Sequence, residues 1–292
     1  MTFAVAAEVL MLRAPRFVLW AVVIFSFASG VAAQVPADLR QDAHRISGPI
    51  LLGSQAMDSL EDLTDTIGPR LAGSSAYNRA AQWAAEKMDS LEDLTDTGVV
   101  MVLEAARAIA ALGKRPRRSI RFALFGAEEP GPSGSRAYIQ AHAAELPNCV
   151  AVLNTDDGAA RAYGWRVFRP DLRKSMEPIS NALLKDLGGD QLTEEVVFAG
   201  DDESFFLQGV PTLSLWTDTS HYSDFAHKQG DTFDKVDPVY FKTDAAVMAV
   251  TAYALAQTPT AIGPHLKHDE VGSILRNADL EKYLIELGFW NP

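Results

Sequence analysis

The chain has 292 residues, a formal net charge of −12 and a single cysteine. An acidic balance of that size excludes nucleic acid as a natural partner, since such binding needs basic groups to neutralise phosphates. One cysteine excludes an intramolecular disulfide framework, so an exported chain of this size must be held by its core and by any metal it binds.

Residues 1–33 read as a secretory leader. Arg13 and Arg16 supply a basic n-region, Phe17 to Phe27 is apolar, and Val31-Ala32-Ala33 is a small-residue cleavage site before Gln34. The apolar run is shorter than the roughly 20 residues a spanning helix needs, which makes an uncleaved anchor the weaker reading. Met11 is an alternative start. The expected location is secreted or periplasmic, with no stable membrane anchor after cleavage.

Residues 34–97 are expected to form an N-terminal helical segment. Within it the decapeptide Met57 to Thr66 recurs unchanged at Met88 to Thr97. Two copies make no solenoid, which needs at least three units sharing a core. The spacing lacks the glycine and terminal glutamate of a calcium loop. Identity over the whole decapeptide points to a recent duplication or an assembly error rather than a selected repeat.

From Val99 onward helical and strand patterns alternate. Helices are expected at Val99 to Leu112, Ser133 to Leu146, Leu172 to Leu187 and Thr243 to Gln257. Strands are expected at Ile120 to Phe125, Cys149 to Leu153, Glu195 to Phe198 and Thr212 to Trp216. Short apolar strands between amphipathic helices predict an α/β domain over residues 98–265, a three-layer sandwich with a mostly parallel central sheet flanked by helices. Ligands in such sheets bind beyond the carboxyl ends of the strands. The basic run Lys114 to Arg118 reads as a solvated loop, and Cys149 as a core residue rather than a nucleophile. The tail, residues 266–292, carries an amphipathic helix around Leu280 to Leu287. It either packs on the domain or contacts a partner, and a homodimer is one candidate assembly.

Three segments carry candidate chemistry. Ile120 to Phe125 runs into Gly126-Ala127-Glu128-Glu129, so a buried run ends on two adjacent carboxylates. One could bind a metal while its neighbour reaches the metal-bound water. Alone, such a pair is more often a solvated turn. Asn154-Thr155-Asp156-Asp157-Gly158 follows the next strand, where an aspartate would emerge on the same sheet edge; an Asx turn is the competing reading. Phe225-Ala226-His227-Lys228-Gln229-Gly230-Asp231 offers a neutral imidazole ligand in His227, with His221 as a competing ligand or a substrate contact.

Together these segments resemble the di-zinc exopeptidases that include bacterial leucyl aminopeptidases and plasma glutamate carboxypeptidase, the carboxypeptidase Q-like branch in particular. The resemblance covers Ile67 to Gln82 and Gly98 to about Pro259. It implies that Glu128 is the general base, Glu129 a zinc ligand, Asp156 the ligand of a second zinc and His227 the distal ligand of the first. It also implies that Gly200 to Phe205 is a substrate-pocket loop with Asp202 facing the peptide amine. An exposed acidic turn is the alternative for that loop. The implied substrate is a small peptide, cleaved by zinc-activated water.

The family pattern breaks before Gly98. Lys87 stands where a ligand histidine belongs in a His-x-Asp segment that would place the next carboxylate at Asp89, and Leu94 stands where an aspartate should bridge both metals. Asp96 is the nearest carboxylate to substitute for the bridge. The expectation is an exopeptidase lacking one ligand and the bridge, or an inactive relative that binds peptides through the same cleft. A serine hydrolase is disfavoured, because no Gly-x-Ser-x-Gly elbow is present.

Overall fold

The computed structural model describes residues 35–292 except 69, 71, 91–96, 130, 159 and 199, and it leaves aside the side chains of 88–90 and 97. The leader, Leu94 and Asp96 therefore lie outside the described residues. So does most of the second decapeptide.

The N-terminal segment is helical. Helix α1 spans Ala37–Gly53, α2 spans Ala56–Glu61 and runs into a π turn at Asp62–Ile67, and α3 spans Ser75–Ser90. The first decapeptide thus forms α2 and its π turn, burying Leu60 and Leu63. Lys87 lies on α3 beside the Trp83 ring, on a helix rather than at a strand end.

Helix α4 (Thr97–Ala111) matches its apolar pattern closely. Ile120 to Phe125 does not join the sheet as a strand; it is extended, with a single isolated bridge at Phe122. Alternation still sets its faces: Ile120, Phe122 and Leu124 pack on the main core, and Phe125 on the opposite cluster. A period-2 pattern selects which side chains are buried, whereas a ladder also needs a partner backbone in register.

Helix α5 (Ser133–Ala141) stops short of Leu146, where a 3-10 turn over Leu146–Asn148 accommodates Pro147. The sheet follows as β1 (Val152–Asn154), β2 (Ala162–Arg166), β3 (Gln191–Thr193) and β4 (Thr212–Thr217), in the order β1-β4-β2-β3. The β1/β4 and β2/β3 pairs are parallel, and β2 runs antiparallel to β4 with a bulge between Ala162 and Gly164. Strand β3 replaces the one expected at Glu195 to Phe198, which is irregular. Helix α6 (Pro170–Ile179) passes into a π turn at Ser180–Leu184 and a 3-10 turn at Lys185–Leu187. Pro178 explains the change of winding, since it lacks the N–H that would bond one turn back.

Short helices α7 (Asp202–Phe206) and α8 (Tyr222–Phe225) flank β4. Helix α9 (Pro238–Gln257) starts five residues earlier than the apolar pattern suggests. Pro238 occupies its first turn, and Asp237 Oδ1 accepts from the backbone N–H groups of Val239 and Tyr240 at 2.7 and 3.3 Å. Residues of α1, α4, α9, β2 and β4 make the main core, and Trp165 Nε1 on β2 donates to Thr251 Oγ1 on α9 at 3.1 Å. The other sheet face is covered by α5, α7, α10 (His268–Asn277) and α11 (Glu281–Glu286). The tail therefore packs on the domain, with Val271, Leu275, Leu284 and Trp290 seated against Phe168 and Phe206. Cys149 is part of the same layer, and burial pushes its thiol up. The basic loop is partly tied down: Lys114 pairs with Asp42, and Arg118 donates to Leu255 O and Thr258 O at the carboxyl end of α9. Among the described residues no helix is long and apolar enough to cross a membrane.

Asp244, fully buried on α9, accepts from Ala162 N–H at 3.0 Å through Oδ1, while its Oδ2 has no partner. Burial pushes its carboxyl up to about 8. The folded chain therefore holds this proton between about pH 4 and pH 8, where the unfolded chain has released it, so the group costs stability as pH rises through that window. The variant Asp244→Asn should lose this component, whose slope is at most about 1.4 kcal/mol per pH unit. Urea denaturation from pH 5 to pH 9 checks it, with the variant gaining on the wild type as pH rises.

Candidate active site

The two glutamates emerge from a sharp reversal. Ala127 adopts a left-handed conformation, φ 60°, that a residue with a Cβ rarely takes. Gly131 N–H then donates to Glu128 O at 2.7 Å, and Ser133 N–H to Ala127 O at 3.3 Å, which leads the chain directly into α5. Glu128 is left half-buried and Glu129 exposed. His227, also left-handed at φ 59°, brings Nε2 to 3.0 Å from Glu129 Oε1. The glutamate turn and the histidine loop thus each hold a non-glycine residue in a left-handed conformation, the kind of strain that gathers at functional sites.

Asp156 and Asp157 follow β1. Asp157 Oδ2 accepts from the Arg166 guanidinium at 2.7 Å, and Arg166 also donates to Leu215 O, so β2 and β4 anchor this turn. Gly200 lets the third loop close on it. A Cβ there would lie 2.6 Å from Asp156 Oδ2 and 2.9 Å from Asn154 Nδ2.

Asp202 does not face an open cleft, contrary to the expectation from sequence. It is 2 % exposed, accepts from Asn154 Nδ2 at 3.3 Å through Oδ1, and leaves Oδ2 without a partner. The loop is not an exposed acidic turn either, since Asp202 and Glu203 are both buried. His221 is exposed and bonds locally to Asp224 at 3.0 Å. Asp89 lies in the last turn of α3.

Carboxyl groups crowd this edge. Burial and then the charges of Glu128, Asp201, Asp202 and Asp157 push Asp156 up to about 8, although the residue as a whole stays exposed. Glu128 is raised by burial, Glu129 and Asp201, with His227 opposing. Asp202 is raised to about 7, mainly by burial. Burial also raises Glu203 to about 7, against the pull of Arg136. Asp201 is raised by burial, against the opposing influence of Ser135 on α5. Asp157, Arg166, Asp201, Glu203 and Ser135 were not singled out from the sequence. The acidic loop at Gly200 was the available signal for Asp201 and Glu203, whereas nothing in the local pattern marks Arg166.

Glu129 and His227 are a carboxylate and an imidazole at one point, donor chemistry that suits zinc. Asp156 does not join them, and among the described residues no group of three or more His, Cys, Asp or Glu side chains could hold a metal ion. The described donors therefore do not fit the complete two-metal centre that the resemblance implies.

The α/β sandwich and this carboxylate edge define a peptidase-type domain. Residues 95–252 match the model of peptidase family M28, and the chain belongs to that family. It is 36 % identical over 162 residues to carboxypeptidase Q of Bos taurus and 33 % identical over 160 residues to that of Homo sapiens. Each match covers 54 % of this chain and 34 % of the relative, so the chain spans about a third of the length of these curated relatives. Among solved structures, a peptidase M28 precursor from Shewanella amazonensis aligns with a TM-score of 0.53 at 32 % identity, over 59 % of this chain and 39 % of that one. The Legionella pneumophila LapA aminopeptidase aligns with a TM-score of 0.60 at 16 % identity, over 82 % of this chain and 78 % of that one, a likeness of fold alone.

Arg166 is buried and is the cation that holds the Asp157 turn. Replacing it by methionine leaves Asp157 without its partner and should cost about 3 kcal/mol of stability. A urea midpoint within error of wild type for Arg166→Met would show that the pair contributes nothing.

Proposed function

We propose that this chain is an exported exopeptidase domain that binds and hydrolyses small peptides at the carboxyl edge of its sheet, with Glu128 as general base. The observation that carries the reading is the convergence of Glu128, the Glu129–His227 pair and the Asp156 turn on one edge, within a chain of peptidase family M28. A raised Glu128 carboxyl is a stronger base, suited to take a proton from an attacking water and return it to the leaving amine. The negative field favours the free amino end of a peptide over its carboxyl end. Glu129 and His227 are proposed as ligands of one zinc ion and Asp156 as a ligand of a second. Export rests on the leader in residues 1–33.

The described residues supply too few donors for that centre, so no step is assigned to metal. The same shortage favours a second reading, a peptide-binding relative without turnover. Purified protein should be assayed for zinc by elemental analysis and for release of amino acids from dipeptides and aminoacyl anilides, with and without added zinc. The first reading predicts turnover that Glu128→Gln lowers by roughly a hundredfold or more. Peptide binding by calorimetry with neither zinc nor turnover would establish the second.

A further inference from the structure

The turn that presents Glu128 and Glu129 is buttressed from the far end of the chain. Gly131 adopts φ +108°, and a Cβ added there would come within 3.2 Å of Phe289 Cζ, so the edge of the ring stands where a side chain at this position would be. The Gly131 N–H is the one that bonds Glu128 O at 2.7 Å. The ring is gripped on another side by Arg136 on α5, whose guanidinium carbon stands 4.3 Å from the ring centroid.

Phe289 is itself held in place. Its N–H and that of Trp290 both donate to Leu284 O, at 2.8 and 3.2 Å. Trp290 is buried under α10 and stacks on His268 at 4.1 Å between centroids, and His268 Nε2 donates to Asn291 O at 2.7 Å. The tail is thus fastened on both sides of Phe289, which leaves the Phe289 ring bearing on Gly131.

We infer that Phe289 is a positioning residue for Glu128, acting through Gly131 to hold the glutamate turn in its reversed conformation. The Cζ edge of the ring fills the space a side chain at position 131 would need, and the Arg136 contact over the ring keeps it from rotating away. The inference deepens the proposed function, because it assigns the C-terminal tail a part in arranging the base of that same site.

The test is amide hydrogen exchange, read residue by residue, on full-length wild type, Phe289→Ala and Phe289→Met. Phe289→Ala should speed exchange at the Gly131 amide by roughly tenfold or more while amides in α9 keep their protection, and Phe289→Met, which keeps apolar reach without adding an atom beyond Cζ, should retain most of the wild-type protection. Unchanged exchange at Gly131 in Phe289→Ala overturns the inference. So does a uniform acceleration that includes α9, which would mean that the ring contributes only to global stability. Absence of turnover in the wild type would sink the function reading, yet it would leave the exchange result standing, so the two failures are distinguishable.

Discussion

Burial and mutual repulsion of carboxyl groups at one edge of a short sheet are the constraint on which the site depends. Glu128, Glu129, Asp156, Asp157, Asp201, Asp202 and Glu203 come from three separate loops, and several are at least partly withdrawn from water. Among the described residues, Arg166 holds Asp157, Arg136 acts on Glu203, and the His227 imidazole meets Glu129. Burial first, and the charges of neighbouring carboxylates second, push Asp156, Asp202 and Glu203 up towards neutrality or beyond. A fold that tolerates this arrangement needs a strong scaffold beneath it. That scaffold is the packed layer of α1, α4 and α9 with Trp165 and the inner residues of β4.

The scaffold was largely legible from residue patterns, and its exceptions have physical causes. Helices α4 and α9 and strand β4 followed from apolar spacing because their burial is continuous. Ile120 to Phe125 showed the right alternation, but alternation says nothing about whether a neighbouring backbone pairs with it. Strand β2 escaped notice because Gly164 and the bulge beside it interrupt the pattern, and β3 because three residues are too few to carry a period. The start of α9 was hidden by Pro238 and the exposed Val239 and Tyr240, which break the apolar face although Phe241 is buried.

The site was legible unevenly. Glu128, Glu129, Asp156 and His227 stood out because adjacent carboxylates after apolar runs and a later histidine, taken in order, resemble a known family. Their partners did not. Arg166 has no motif around it, and the contact of Phe289 with Gly131 joins residues far apart in the chain. Asp202 belongs to a loop that does reach the site, but its side chain points inward to Asn154 and is no free contact for an amine. Lys87, where the resemblance leads one to expect a ligand histidine, lies on a helix beside Trp83.

Crowding of carboxylates at this edge is tested most directly by a carbon-13 NMR titration of the side-chain carboxyl groups in metal-free protein. Asp156 should titrate at about 8. A midpoint near the ordinary aspartate value of about 4 would mean that its carboxyl is neither buried nor pressed by its neighbours, and would contradict the account.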